Sequence, residues 1–270
     1  MELEPIKLNE IPIKILEYVG GIKNLQFPRQ GHTSDVGIIE TENGMYVLKK
    51  TKGKQFCSWL SKEVFVLNCL SKTNLPIPSL YKFIEQKSKN QSWTLTEYIE
   101  GETLRNYLFY ETNQNKRRFV IHNYGKILSE IHSTVCPSEL INRKLWLDEM
   151  LVQAELNLKN YNVDGSIELL NRLKRTKPQP FQQTLIHGDF TIDNVLVKDG
   201  KIKGVIDWGG GVYGDPRYDV SLAIRPKPRI FENKVEVSIF FEGYGKKIIT
   251  DEEYNYFEDG LYSFFNKLLN

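Results

Sequence analysis

The stretch His187-Gly188-Asp189-Phe190-Thr191-Ile192-Asp193-Asn194, with Val195-Leu196-Val197-Lys198, Asp199-Gly200, Lys201-Ile202-Lys203-Gly204-Val205-Ile206 and Asp207 after it, decides how the chain is read. Asp199-Gly200 between two alternating runs predicts a two-residue β-hairpin, because both residues tolerate the positive φ that such turns need. That turn pairs Lys198 with Lys201 and, counting back, sets Asn194 opposite Val205. Side chains alternate faces with a period of two, so Asn194, Val205 and Asp207 share a face. Asn194 and Asp207 are then diagonal neighbours, about 7–8 Å apart. Two oxygen-bearing side chains at that separation reach a cation between them. Mg2+ favours such ligands, completed by phosphates and water. Taken singly, Asp189, Asn194 and Asp207 are ordinary turn or strand-end residues; their order and spacing together predict a metal site.

Toward the N-terminus the pattern is strand-like. Residues 22–29, 36–41, 45–51, 80–85 and 92–99 read as strands, and Asn43-Gly44 is a hairpin turn signal. A helix over about 55–71 carries Phe56, Trp59, Leu60, Val64, Leu67 and Leu70 at helical spacing, and Pro76 and Pro78 end the pattern. Lys49 shares a strand face with Met45 and Val47 and is expected to point inward, and Lys50 outward. Glu63 falls on the apolar stripe of the helix, where a carboxylate is costly unless paired. Lys49 is its natural partner. Beyond Gly101 the chain reads as helices over 116–134, 144–160, 165–175, 218–224, 234–247 and 251–269, interrupted by the central hairpin. The fold class is α+β: a small β-rich N-terminal lobe over residues 1–97, a hinge at about 95–101, and a larger helical C-terminal lobe over 102–270.

Asp189 and Asn194 stand at the D-x-x-x-x-N spacing of a kinase catalytic loop, in which the Asp orients and deprotonates the attacking hydroxyl and the Asn binds magnesium. With Ile206-Asp207 and Gly214-Asp215-Pro216-Arg217-Tyr218-Asp219, the chain resembles the aminoglycoside phosphotransferase and choline kinase superfamily over nearly its whole length. The resemblance implies a bilobal protein-kinase-like fold. It implies an ATP- and Mg2+-dependent phosphotransferase acting on a hydroxyl of a small molecule, with GTP open as an alternative donor. It implies Asp189 as the catalytic base, Asn194 and Asp207 as magnesium ligands, and a mainly structural His187. It further implies that Lys49, paired to Glu63, holds the α/β-phosphates. Thr33 and Ser34, in Gln30-Gly31-His32-Thr33-Ser34, would offer hydroxyls and amides to the phosphates. In the hinge run Leu95-Thr96-Glu97-Tyr98-Ile99, the Thr96 carbonyl and Tyr98 amide would bind adenine. The absence of G-x-x-x-x-G-K-[ST] argues against a P-loop enzyme.

Rival readings fail on context. Gly209-Gly210-Gly211-Val212-Tyr213-Gly214 matches G-x-G-x-x-G after a strand, but the short helix and Pro226 and Pro228 that follow do not make the second parallel strand a dinucleotide fold needs. The glycines read as a mobile loop behind Asp207. A non-catalytic kinase-like binding module would have lost the Asp, the Asn or the Lys, and all three are present. A protein kinase would carry H-R-D and A-P-E, which this chain lacks.

The acceptor is less legible. The spacing of Asp189, Asn194 and Asp207 and the run Tyr218-Asp219-Val220…Ala223-Ile224-Arg225 are similar to the 3′-aminoglycoside phosphotransferases. Asp215-Pro216-Arg217 and the extension Phe264-Phe265-Asn266-Lys267-Leu268-Leu269-Asn270 depart from that subgroup. Choline, an amino sugar or thiamine stay open as acceptors. The acidic segment 250–259 is explained in part by a Thr250–Glu253 capping box. The resemblance implies that Glu258 or Asp259 contacts an amine of a cationic acceptor. A formal net charge of +2 gives no ground for nucleic-acid or membrane partners. The N-terminus has no signal-peptide pattern. Cys57, Cys69 and Cys136 form no C-x-x-C pair, so free thiols in the cytoplasm are expected.

Overall fold

Short alternating runs in the first hundred residues build one antiparallel sheet. Its strands are β1 (Ile22–Gln26), β2 (Asp35–Thr41), β3 (Gly44–Lys52), β4 (Leu80–Gln86) and β5 (Gln91–Glu97), in the order β1-β2-β3-β5-β4. The computed structural model describes residues 5–28, 33–142 and 144–265. Helix α2 (Lys54–Leu70) buries Leu60, Val64, Val66, Leu67 and Leu70, close to the expected stripe. The β2–β3 turn is one residue earlier than expected: Thr41 pairs with Gly44, so Glu42-Asn43 form the turn and Gly44 opens the strand.

Both faces of this sheet are covered, which corrects the expectation for Lys50. Helix α1 (Ile13–Val19), unforeseen in the sequence, and the segment just before it bring Ile6, Ile11, Ile15 and Val19 against Ile39, Leu48, Trp93 and Leu95. Leu48 and Lys50 share the strand face that meets this core. Lys50 is only 6% exposed. Its ammonium pairs with Glu10 at 2.9 Å and Asp35 at 3.6 Å and lies 5.7 Å from the Trp93 ring centroid. A buried charge persists only with such partners.

The chain divides into two compact units. One comprises the described residues up to Lys72 with Ile77–Ile99; the other comprises Thr73–Pro76 and the described residues from Glu100 on. The second unit is mainly helical: α3 (Leu104–Tyr110), α4 (Gln114–Ser133), α5 (Trp146–Asn160), α6 (Ile167–Arg175), α7 (Pro216–Ala223), α8 (Lys234–Tyr244) and α9 (Asp251–Asn255). Helix α4 packs on α8, with Tyr124 against Phe240 and His132 bonded to Tyr244. Two small sheets lie among the helices. Strand β6 (Glu102–Thr103) pairs with β8 (Val195–Lys198), which pairs with β9 (Lys201–Val205); β7 (Thr184–Ile186) pairs with β10 (Val212–Gly214). The Asp199-Gly200 turn forms with positive φ at both residues.

The C-terminal helix is not one regular α-helix. After α9 the backbone widens into a π turn over Tyr256–Gly260 and tightens into a 3-10 turn over Leu261–Phe264. This change of pitch brings Tyr256, Phe257, Leu261 and Phe264 into the core together. The expected continuation through 266–269 lies outside the described residues. Thr250 and Glu253 do form the capping box. Asp215 caps α7 ahead of Pro216, whose missing N–H costs nothing in a first turn. Among the described residues no helix is long and apolar enough to cross a membrane.

Candidate active site

In the second unit, the loop between β7 and β8 carries Asp189 and is fixed from below by one carboxylate. Asp219, wholly buried in α7, accepts the His187 amide at 2.6 Å and the Gly188 amide at 2.8 Å. Its Oδ2 also lies 3.3 Å from His132 Nε2, and His132 Nδ1 is 2.8 Å from the Tyr244 hydroxyl. His187 contributes a second brace. Its Nε2 donates to the Ile206 carbonyl at 2.9 Å, and its Nδ1 accepts the Asp189 amide at 3.2 Å. This pattern needs a neutral imidazole, and burial pushes the His187 pKa down accordingly. The Ile206 contact ties the Asp189 loop to the chain just before Asp207.

A close backbone approach completes the frame. Gly188 has φ 79°, the left-handed region that favours glycine. A Cβ on Gly210 would stand 2.8 Å from the His187 carbonyl oxygen and 2.9 Å from the Gly188 carbonyl carbon. The glycines after Asp207 therefore form a tight turn, Trp208–Gly210, seated against the catalytic loop, where the sequence suggested a mobile loop.

Asp189 keeps partial solvent access, yet protein crowds it enough that desolvation pushes its carboxyl up to about 7. The neighbouring charges of Asp207 and Asp219 add to that rise; the Asn194 hydrogen bond and Arg225 oppose it. Asn194 Nδ2 donates to both the Asp189 carbonyl, at 2.9 Å, and Asp189 Oδ2, at 3.0 Å. The amide oxygen of Asn194 is thereby turned away from Asp189.

The Asn194–Asp207 register differs from the alternation argument. A bulge at Lys203 shifts β9 by one residue, so Val205 pairs with Val195 rather than opposing Asn194. An extra residue reverses the faces beyond it. Ile206 donates to the Asn194 carbonyl at 2.9 Å, and Asp207 follows in a left-handed conformation, φ 62° and ψ 55°. The two residues are neighbours across the hairpin end, brought there by a bulge and a backbone turn that face counting alone does not foresee.

The expected nucleotide residues lie in the first unit. Lys49 Nζ is 2.7 Å from Glu63 Oε1, with side chains 15% and 14% exposed, the pairing expected from the helix stripe. Thr33 and Ser34 form a bend just before β2, with Ser34 buried; Gln30, Gly31 and His32 lie outside the described residues. Thr96 sits inside the sheet between Val47 and Leu80, whereas Tyr98 is past the last rung and its amide has no backbone acceptor among the described residues.

Two further charged groups lie near the Asp189 loop in the second unit. Arg105 forms a double contact with Asp193 of the catalytic loop. Arg225 forms a double contact with Glu258 and lies 4.1 Å from the Tyr262 ring centroid. Glu258 is therefore already paired, while Asp259 is exposed on the π turn. Asp219 was the residue that sequence reasoning passed over. The signal was an Asp inside Tyr218-Asp219-Val220-Ser221-Leu222-Ala223, a run too apolar to face water, where a carboxylate must be bonded.

The comparisons with known proteins agree with this architecture. A model of the phosphotransferase enzyme family, APH, matches residues 24–248. An aminoglycoside 3′-phosphotransferase of Niallia circulans is 25% identical over 256 residues, covering 91% of this chain and 94% of that protein. An aminoglycoside 3′-phosphotransferase of Enterococcus faecalis is 28% identical over 184 residues, covering 64% of this chain and 67% of its own. The structure of the streptomycin-ATP-APH(2″)-IIa ternary complex superposes with a TM-score of 0.65 at 20% identity, covering 91% of this chain and 86% of that one. At that identity the likeness carries the fold, α+β and kinase-like. With the family model matching most of its length, this chain belongs to the APH phosphotransferase enzyme family.

Proposed function

We propose that the chain transfers the γ-phosphoryl group of ATP, with GTP as the alternative donor, to a hydroxyl of a small molecule. The carrying observation is Asp189: a carboxyl whose pKa burial raises, set in a loop anchored through Asn194, His187 and Asp219. A general base works best with a pKa near the operating pH. In the reaction the acceptor oxygen bonds to the γ-phosphorus as the bond from that phosphorus to the β–γ bridging oxygen breaks. The hydroxyl proton passes to Asp189, and the nucleoside diphosphate leaves.

Asn194 and Asp207 fit a magnesium ion as a partial ligand set. Asn194 spends its amide N–H groups on Asp189 and presents its oxygen, and Asp207 adds a carboxylate at the hairpin end. Among the described residues no cluster of three His, Cys, Asp or Glu could hold a metal alone. Two ligands completed by phosphates and water suit magnesium, which when bound would neutralise charge on the phosphate oxygens. Lys49, oriented by Glu63, is assigned to the α/β-phosphates. Thr33 and Ser34 are assigned to the phosphates, and the Thr96 carbonyl and Tyr98 amide to adenine.

The Niallia and Enterococcus relatives make an aminoglycoside the second reading of the acceptor. Glu258 is paired with Arg225 before any acceptor arrives, so a cationic acceptor would rest on Asp259. The test is transfer of label from γ-labelled ATP to a panel of hydroxyl compounds, with and without magnesium. Magnesium-dependent labelling of a small molecule, lost in Asp207→Asn, is expected. Labelling of protein substrates alone would refute the reading.

A further inference from the structure

Resting on the phosphotransferase reading, we propose that Arg105 is a positioning residue of the magnesium site: it holds the turn that ends in Asn194 and so sets the direction in which that residue presents its oxygen to magnesium. The residues concerned all lie in the second unit. Thr191, Ile192, Asp193 and Asn194 form a tight turn, closed by the Asn194 amide on the Thr191 carbonyl at 3.1 Å. Asp189 lies two residues before this turn. Arg105 grips both of its central residues. The Arg105 amide donates to the Ile192 carbonyl at 2.9 Å, and the guanidinium makes its double contact with the Asp193 carboxylate. A planar fork meets a carboxylate in one orientation. Asp193, one residue before the metal ligand, is therefore fixed in direction as well as in place.

Arg105 is itself anchored. It stands in the first turn of α3, where the Thr103 hydroxyl accepts the Asn106 amide at 3.2 Å. Just ahead of it, Glu102 and Thr103 pair with Val197 and Leu196 of β8, the strand that follows Asn194. A Cβ on Gly101 would stand 2.7 Å from the Val197 carbonyl oxygen, so the two segments approach as closely as glycine allows. The other supports act at the ends of the loop. Asp219 holds His187 and Gly188, and the Ile206 amide holds the Asn194 carbonyl. The turn between them is held by Arg105. The Asn194 side-chain amide is bonded to Asp189, so a tilt of the turn changes where the Asn194 oxygen points. The Arg105 and Asp193 side chains are 32% and 47% exposed, and an ion pair this open adds little to global stability. Its weight lies in orientation, because groups that orient a metal ligand change metal affinity about 10–100-fold when they are lost.

The experiment uses the full chain with AMP-PNP, an ATP analogue that does not transfer its terminal group, and Mn2+ in place of magnesium, with bound Mn2+ read by electron paramagnetic resonance. In Arg105→Ala the Kd for Mn2+ should rise about tenfold or more, while the affinity for AMP-PNP without metal stays put and Tm moves by less than about 3 °C. The sign is diagnostic. Charge alone would act the other way, because removing a cation from beside a metal site strengthens metal binding. The Ile192 bond survives this change, since it uses the Arg105 backbone. Asp193→Ala should also weaken Mn2+, and the double variant should be no worse than the weaker single one, because both changes remove the same interaction. Arg105→Lys, a charge without a fork, should fall between wild type and Arg105→Ala. In label transfer, the magnesium concentration for half-maximal rate should rise with the Mn2+ Kd, and the acceptor KM should not change. Equal or tighter Mn2+ binding in Arg105→Ala, losses that add in the double variant, an effect confined to the acceptor KM, or Mn2+ loss that tracks a fall in Tm across the single variants would each overturn the proposal. Failure of the phosphotransferase reading looks different: the wild type itself would bind no Mn2+ beside AMP-PNP and transfer no label, and the inference would fall with it.

Discussion

Asp219→Asn tests whether the catalytic loop is held in place by a single buried carboxylate. The wild-type side chain accepts two amides, from His187 at 2.6 Å and Gly188 at 2.8 Å, and faces His132 at 3.3 Å. An asparagine keeps one oxygen, so one amide would face an NH2 group and lose its acceptor. Hydrogen bonds to charged groups contribute about 1.5–3 kcal/mol each, and a stranded buried donor costs about 1–3 kcal/mol. Allowing for relaxation, destabilisation of about 2–4 kcal/mol follows. At roughly 2 °C per kcal/mol for a chain of this size, Tm should fall by about 4–8 °C. Because the lost bond anchors the residues next to Asp189, kcat should fall by about 10²-fold in the fraction that stays folded, as misplacement of a reacting group does. The assay pairs thermal unfolding with phosphoryl transfer at 20 °C. A Tm loss with unchanged kcat would refute the positioning role. An unchanged Tm would refute the energetic reasoning.

Further perturbations separate the parts of the account. Lys50→Ala removes the buried ammonium that pairs with Asp35 and Glu10 and should cost about 3–5 kcal/mol of stability while sparing the ATP KM of the folded protein; Lys49→Ala should raise that KM about tenfold or more with a smaller stability change, and urea unfolding with steady-state kinetics checks both. Gly210→Ala pushes a methyl group against the His187 carbonyl and should cost about 1–3 kcal/mol with a fall in kcat, whereas a tolerated alanine would show that the turn is not tightly seated. His187 has a pKa depressed by burial, so the unfolded chain binds its proton first. The stability it protects is present above about pH 6.5 and is lost as pH falls below that value, at up to about 1.4 kcal/mol per pH unit. The urea midpoint of the wild type should drop between pH 7 and pH 5.5, and His187→Gln should drop less; equal slopes would remove His187 as the cause.

The loop of the candidate site was legible because its signals are local. The D-x-x-x-x-N spacing and the Asp199-Gly200 turn lie within twenty residues, and the turn forms as expected. Lys49–Glu63 was legible for a different reason: a carboxylate on an apolar helix stripe demands a partner, and the strand supplied one lysine on the correct face. What escaped depends on tertiary packing. Lys50 was expected in solvent because nothing in the seven-residue run Ile13–Val19, between Pro12 and Gly20, announced a helix that would cover the second face of the sheet. The bulge at Lys203 inserts one residue into a strand that reads as regular, and a one-residue shift is enough to undo a face argument. The π turn at Tyr256–Gly260 likewise moves Glu258 into contact with Arg225, a pairing across 33 residues that helical periodicity does not contain.

The central claim is that Asp189 takes the acceptor proton. Single-turnover transfer from γ-labelled ATP should therefore be compared for the wild type and Asp189→Ala, with the acceptor found in the panel. The account predicts a fall of about 10²–10⁴-fold in the rate of the chemical step, with nucleotide affinity and Tm nearly unchanged. A variant that transfers phosphate at a rate close to wild type would contradict it.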